Sequence, residues 1–222
     1  RLTGRAKSPA LSDAQGTISH QSVKLSLAGR VNDLMALKGL DLNVKGVGNS
    51  LGELRDVVSA RLPDTGPFSA TGRLTGSAQR LSVANLRATL EQGSARLAAS
   101  GKVGDLLQLS GIDLEVNGSG KNPGELASLF DTQLPDLGPF SIKGQLGGSD
   151  KLLELNQFSA SVDQSDFTGW AKLEFGKRPK VTTRLESGLV DFTRIMDQVK
   201  EQKASQTTHP EQGETSGLRE TL

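Results

Sequence analysis

Apolar and polar positions alternate along most of this chain. Val23, Leu25 and Leu27 alternate with Lys24 and Ser26, and Leu40, Leu42 and Val44 with Asp41, Asn43 and Lys45. Further on, Ile112, Leu114 and Val116 alternate with Asp113, Glu115 and Asn117, Phe140 and Ile142 with Ser141 and Lys143, and Leu153 and Leu155 with Glu154 and Asn156. A period of two predicts strands with one apolar and one wet face. Four such runs, 67–77, 79–91, 93–104 and 107–118, follow one another with Gly76-Ser77, Gln92-Gly93 and Gly104-Asp105 as turns between them. Connections of two or three residues force neighbouring strands to be antiparallel, so the four form a meander.

The pattern repeats. Residues 37–54, LKGLDLNVKGVGNSLGEL, return as LSGIDLEVNGSGKNPGEL at 109–126, and LPDTGPFSATGRLTGS at 62–77 returns as LPDLGPFSIKGQLGGS at 134–149. Both offsets are 72, and 1–72 laid ungapped over 73–144 shares 30 identical positions. A third copy begins at Gln145 and loosens after Phe175. The predicted units are therefore about 1–72, 73–144 and 145–198. Between meanders, 52–63 and 124–135 carry apolar residues at helical spacing: Leu54, Val57 and Val58, then Leu126, Leu129 and Phe130. Glu53 and Glu125 fall in the first turn, where the helix dipole favours a negative charge, and Pro63 and Pro135 end both helices. A weaker equivalent spans 191–203, and 199–222 is a polar tail without periodicity, expected to be a flexible linker. The chain opens mid-pattern at RLTGRA, as an excised piece of something longer would.

Composition narrows the chemistry. Lys and Arg number 26 against 25 Asp and Glu, a net charge of +1, without the basic excess of a nucleic-acid reader. Without cysteine there is no disulfide, thiol nucleophile or thiolate metal site. His20 lies among polar neighbours and His209 in the tail, neither with a second ligand at metal spacing. Glu211 and Glu214 also fall in the tail. GNSLG at 48–52 falls short of a nucleophile elbow. GVGNSLGE and GSGKNPGE fall short of a phosphate loop, and both recur as entries to the short helix. Trp170, with Phe167 and Phe175, reads either as a groove lip or as core packing. Lys143 and Lys172 read as outward, solubilising charges. No catalytic constellation, metal site or cofactor motif emerges.

A single sheet with one apolar face must cover it, by folding into a sandwich, closing as a solenoid or curling into a trough that holds a ligand. The inner face is rich in leucine and interleaved with small residues (Ala70, Ala88, Ala95, Ala99, Ala160), which favours a trough for flexible hydrocarbon. The block LP-x-x-GPFS-x-x-G-x-L-x-GS, followed by L-x-L-x-x-L-x-A and LDL, resembles the bacterial AsmA family, as does the exit KLEFGKRPKVTTRLESGLVDFTRI. The resemblance covers about 1–198, with GPFS its most specific part. It implies a repeating β-groove (β-taco) lipid transfer protein in the periplasm. Such a protein is anchored in the inner membrane by an N-terminal helix that this chain lacks, and it supports phospholipid supply to the outer membrane.

The expected fold is thus mainly β: antiparallel four-strand meanders, one short helix per 72-residue repeat, curled into an elongated groove. The expected function is non-enzymatic shielding of phospholipid or other acyl chains. The lining would be Val23, Leu25, Leu27, Leu40, Leu42, Val44, Leu81, Val83, Leu97, Ile112, Leu114, Val116, Phe140, Ile142, Leu153, Leu155 and Phe158. Two other readings stand beside it: a self-packed sandwich or solenoid spacer without a lipid ligand, and a scaffold binding an outer-membrane assembly partner at an open strand edge.

Overall fold

The computed structural model describes residues 2–5, 8–55, 62–130, 134, 136–176 and 178–190. The described part of 1–190 is one antiparallel sheet of twelve strands in strict sequence order. These are β1 (Leu2–Arg5), β2 (Ser8–His20), β3 (Val23–Asp33), β4 (Lys38–Gly48), β5 (Phe68–Ser77), β6 (Arg80–Gln92), β7 (Ala95–Asp105), β8 (Ser110–Gly120), β9 (Phe140–Ser149), β10 (Leu152–Val162), β11 (Ser165–Glu174) and β12 (Lys180–Glu186). The sheet is open, since β1 pairs only with β2 and β12 only with β11. The predicted helix at 191–203 and the tail at 199–222 lie outside the described residues, as do His209, Glu211 and Glu214.

The meander follows from the short turns, and the two faces from the alternation. In β3, Val23, Leu25, Leu27 and Val31 are buried or half-buried while Lys24, Ser26 and Arg30 are exposed. The turn after β7 lies later than the sequence suggested. Gly104 and Asp105 stay in the strand, and Leu106–Leu109 turn the chain, because the Asp105 carboxylate accepts the amides of Leu107 and Gln108 at 2.9 and 3.2 Å.

Backbone irregularities recur with the sequence repeat. Asp13, Asn85 and Gln157, spaced 72 apart, each carry a positive φ at a register shift in β2, β6 and β10. Each shift sets two residues against one on the next strand, a β-bulge that bends and twists the sheet. Opposite each bulge lies a glycine, Gly29, Gly101 or Gly169, with φ of 154°, 146° and 151°. A Cβ on Gly101 would collide with the carbonyl oxygen of Asp113, so only glycine lets the strands approach there.

The two long connections, after β4 and after β8, leave the sheet at the same edge, the helix rim. Leu51–Leu54 form a 3-10 turn, and Gly124–Ala127 a single turn, α1, continued as a 3-10 turn over Ser128–Phe130. Residues 56–61, with Val57 and Val58, and 131–133 and 135 lie outside the described residues, Leu62, Pro63 and Leu134 are not helical, and Leu129 is half-buried.

Glu53 and Glu125 do more than suit a helix dipole. Glu125 accepts the amides of Ser94 and Ala95 at 2.6 and 2.8 Å and the Ser94 hydroxyl at 3.0 Å. Glu53 accepts the amide and hydroxyl of Ser22, both at 2.8 Å. Each glutamate thus ties a helical turn to a hairpin tip about thirty residues earlier, supplying the acceptors those donors need. The opposite edge, the turn rim, carries the turns after β3, β5, β7, β9 and β11.

Candidate functional site

Cross-strand register converts the alternation into rows that run along the sheet. One row passes through Leu42, Leu74, Val83, Val103 and Ile112, then Gly148, Leu153, Leu173 and Val181, crossing nine strands. A second contains Gly101, Leu114, Leu146 and Leu155. A third contains Phe68, Leu90, Leu97, Gly118 and Ile142. Between the second and third runs Leu25, Gly46, Ala70, Ala88, Ala99 and Val116. Its middle four members are the smallest side chains available. With Val44, Gly72, Leu86 and Gly101 on one side and Gly48, Phe68, Leu90 and Leu97 on the other, they form the floor of a shallow furrow perpendicular to the strands.

All seventeen residues expected to line a groove stand on this one face. Val23, Leu42, Phe140 and Phe158 are buried, and the other thirteen are half-buried. None of them is closed off from the surface. Among the described residues no large side chain is fully buried, and the apolar residues that count as buried are Val23, Val31, Leu42, Ala95, Val103, Phe140 and Phe158. A sandwich of this size would bury many side chains completely between two layers. Here a single layer carries the apolar face and the strands pair only with their sequence neighbours.

The polar face holds what the sequence did not reveal. A hollow of about 1080 Å3 opens there beside the first bulge, among Asp13, Arg30, Asp41, Lys45 and Arg73. Asp41 accepts from Arg73 Nε and Nη2 at 2.6 and 2.9 Å and from Arg30 Nη2 at 2.8 Å. Hydrogen bonds from Arg73 first, then from Arg30, hold its carboxyl at about 2, against a partial opposing effect of burial. The second repeat keeps only Lys102 and Asp113, 3.2 Å apart, with Gln145 where the first has Arg73. An arginine at that strand position, facing an aspartate one strand away, is a signal legible only once the register is known.

Trp170 is neither core nor lining. It stands on the polar face, 39% exposed, opposite the third bulge, while Phe167 points to the apolar face and Phe175 is exposed on the turn rim. His20 and Lys143 are exposed, and Lys172 lies near Glu154 and Glu174, at 3.6 and 3.9 Å. Among the described residues no group of three or more His, Cys, Asp or Glu is placed to hold a metal ion. No helix among them is long and apolar enough to cross a membrane.

No family model matches the chain. No solved structure matches it. Over 130 residues the chain is 28% identical to the AsmA family protein YhjG of Escherichia coli (strain K12), an alignment covering 54% of this chain and 19% of that protein. The chain thus spans about a fifth of the length of this curated relative. The match supports an AsmA-like family relationship.

Proposed function

On the premise that the chain is AsmA-like, we propose that it is a segment of a non-enzymatic conduit for phospholipid between the membranes of the bacterial envelope. In this reading the segment works in the periplasm. Membrane anchorage, and any outer-membrane assembly partner, belong to parts of the protein beyond it.

The observation that carries the reading is the apolar face itself, running across the sheet with no second layer over it among the described residues. An acyl chain laid in the small-residue furrow would bury about 0.8 kcal/mol per methylene, on the order of 10 kcal/mol for a whole chain. Apolar rows continue on either side of the furrow, so a bound chain stays on apolar surface as it advances. The headgroup stays in water at the open side. Transfer then needs no catalytic group, only a lining without deep wells.

Native mass spectrometry of the purified chain, with lipid extraction, tests this. Phospholipid is expected to co-purify, and the double variant Ile112→Glu, Leu114→Glu is expected to lose at least tenfold of it while keeping its far-ultraviolet circular dichroism. Those two side chains lie in adjacent rows and are half-buried, so the charges reach water and the fold survives. A ligand-free mass from a well-folded wild-type chain would overturn the conduit in favour of a structural spacer.

A further inference from the structure

The turn rim breaks local rules in a way that packing does not explain. After β3 and again after β7 the chain turns through DLMALKG and DLLQLSG. In both turns the last leucine, Leu37 or Leu109, has a φ near +45°. That region suits glycine or asparagine, and a bulky side chain enters it at a cost. Burial does not offset the cost, because both leucines are exposed. So are their neighbours Met35 and Leu107, at 79% and 55%. The tips are nevertheless well defined: Asp33 accepts the amides of Met35 and Ala36, both at 3.0 Å, just as Asp105 does for its own turn. A strained, exposed leucine recurring 72 residues apart is a feature of display, not of folding.

Charge indicates what the tips are displayed to. Lys38, Arg80, Lys151, Arg178 and Lys180 stand exposed along the same rim. Four acids share the rim, but Asp33 and Asp105 are turned onto the amides of their own turns and Glu174 is half-buried, so that of the four only Asp150 is exposed as the cations are. The helix rim is mixed instead, with Asp64, Asp136, Asp163 and Glu186 beside Lys24, Arg55, Arg96 and Lys121, and Arg55 3.1 Å from Asp64. Exposed Met, Leu and Phe side chains framed by cations match the interface of an anionic bilayer, where apolar tips enter the headgroup layer and lysines meet phosphate. We propose that the turn rim docks laterally on an anionic lipid bilayer, with Met35, Leu37, Leu107 and Leu109 as the inserting side chains. The proposal does not depend on lipid in the furrow.

Sedimentation of the 222-residue chain with phosphatidylglycerol/phosphatidylcholine vesicles, against pure phosphatidylcholine vesicles, tests it. Binding to the anionic vesicles alone, weakening several-fold on raising salt from 0.1 to about 0.5 M, is expected. The variant Leu37→Asn, Leu109→Asn is expected to lose at least fivefold in vesicle binding while its urea midpoint holds or rises, since asparagine tolerates the turn conformation. A fall in urea midpoint without loss of binding would assign the leucines to folding and overturn the proposal. Equal binding to both vesicle types would overturn it. So would a dimer in sedimentation velocity that dissociates in the same variant, which would make a second copy the occupant. The variant Ile112→Glu, Leu114→Glu should still bind vesicles, so failure of the conduit and failure of the rim are read separately.

Discussion

Asp41 was legible in the sequence only as one more outward-facing polar residue. What sets it apart is Arg73, 32 residues later, brought diagonally across to it by the pairing of β4 with β5. Its carboxyl, near 2, lies below the ordinary value of 3.8. A depressed folded-state value means that its contribution to stability is fully present above about pH 4 and is lost as the pH falls towards 2. The arginines are well exposed, so screening keeps that contribution small, and the carboxyl resonance reports it better than a melting curve. Arg73→Gln is expected to move the Asp41 midpoint most of the way back to 3.8 in an NMR titration. Arg30→Gln should move it less, because Arg73 donates two hydrogen bonds and Arg30 one. An unchanged midpoint in Arg73→Gln would refute this account of the cluster. The face taken by the seventeen apolar residues was readable for the opposite reason: away from the bulges it follows from parity along each strand.

At the scale of elements, strands and meander were legible and the devices that shape them were not. The bulges leave a trace, since the inward residues of β6 run Leu81, Val83, Leu86, Ala88, with a gap of three where the period is two. A slip of one residue would otherwise have turned the rest of the strand inside out. The glutamate ties left no such trace, because Glu53 and Glu125 have an adequate local explanation at the start of a helix. Their partners, Ser22 and Ser94, are distant in sequence. Glu125→Ala should cost about 1–3 kcal/mol in urea denaturation, the range for removing an acceptor of charge-assisted hydrogen bonds. Glu53→Ala should cost somewhat less, having two donors rather than three. With four strands between the two sites the losses should add. If Glu125→Ala leaves the urea midpoint unmoved, the tie is incidental.

The twelve-stranded unit behaves as a one-dimensional array. Each strand pairs only with its neighbours in sequence, so stability is expected to be a sum of local terms rather than one cooperative core. Hydrogen exchange should therefore be graded, with strongest protection in β6–β9 and earliest opening in β12, whose Val181 and Leu185 are exposed. Uniform protection across all strands would contradict the array. That the sheet remains a single layer was legible only in part. The repeat and the leucine–alanine lining favoured a trough, but a sandwich uses the same alternation, and only the pairing order separates them.

The number of strands per repeat has a consequence of its own. Because four is even, each unit enters and leaves the sheet at the same edge. Every connection that carries a helical turn therefore falls on one side, and both strained leucine tips fall on the other. A unit of three or five strands would alternate the edges, scattering tips and helices along both. Duplicating or deleting a whole 72-residue unit instead changes the span by about 19 Å, four strand spacings, and leaves the identity of the two rims unchanged. Reach can thus be adjusted by gene duplication alone, with no compensating change elsewhere in the chain.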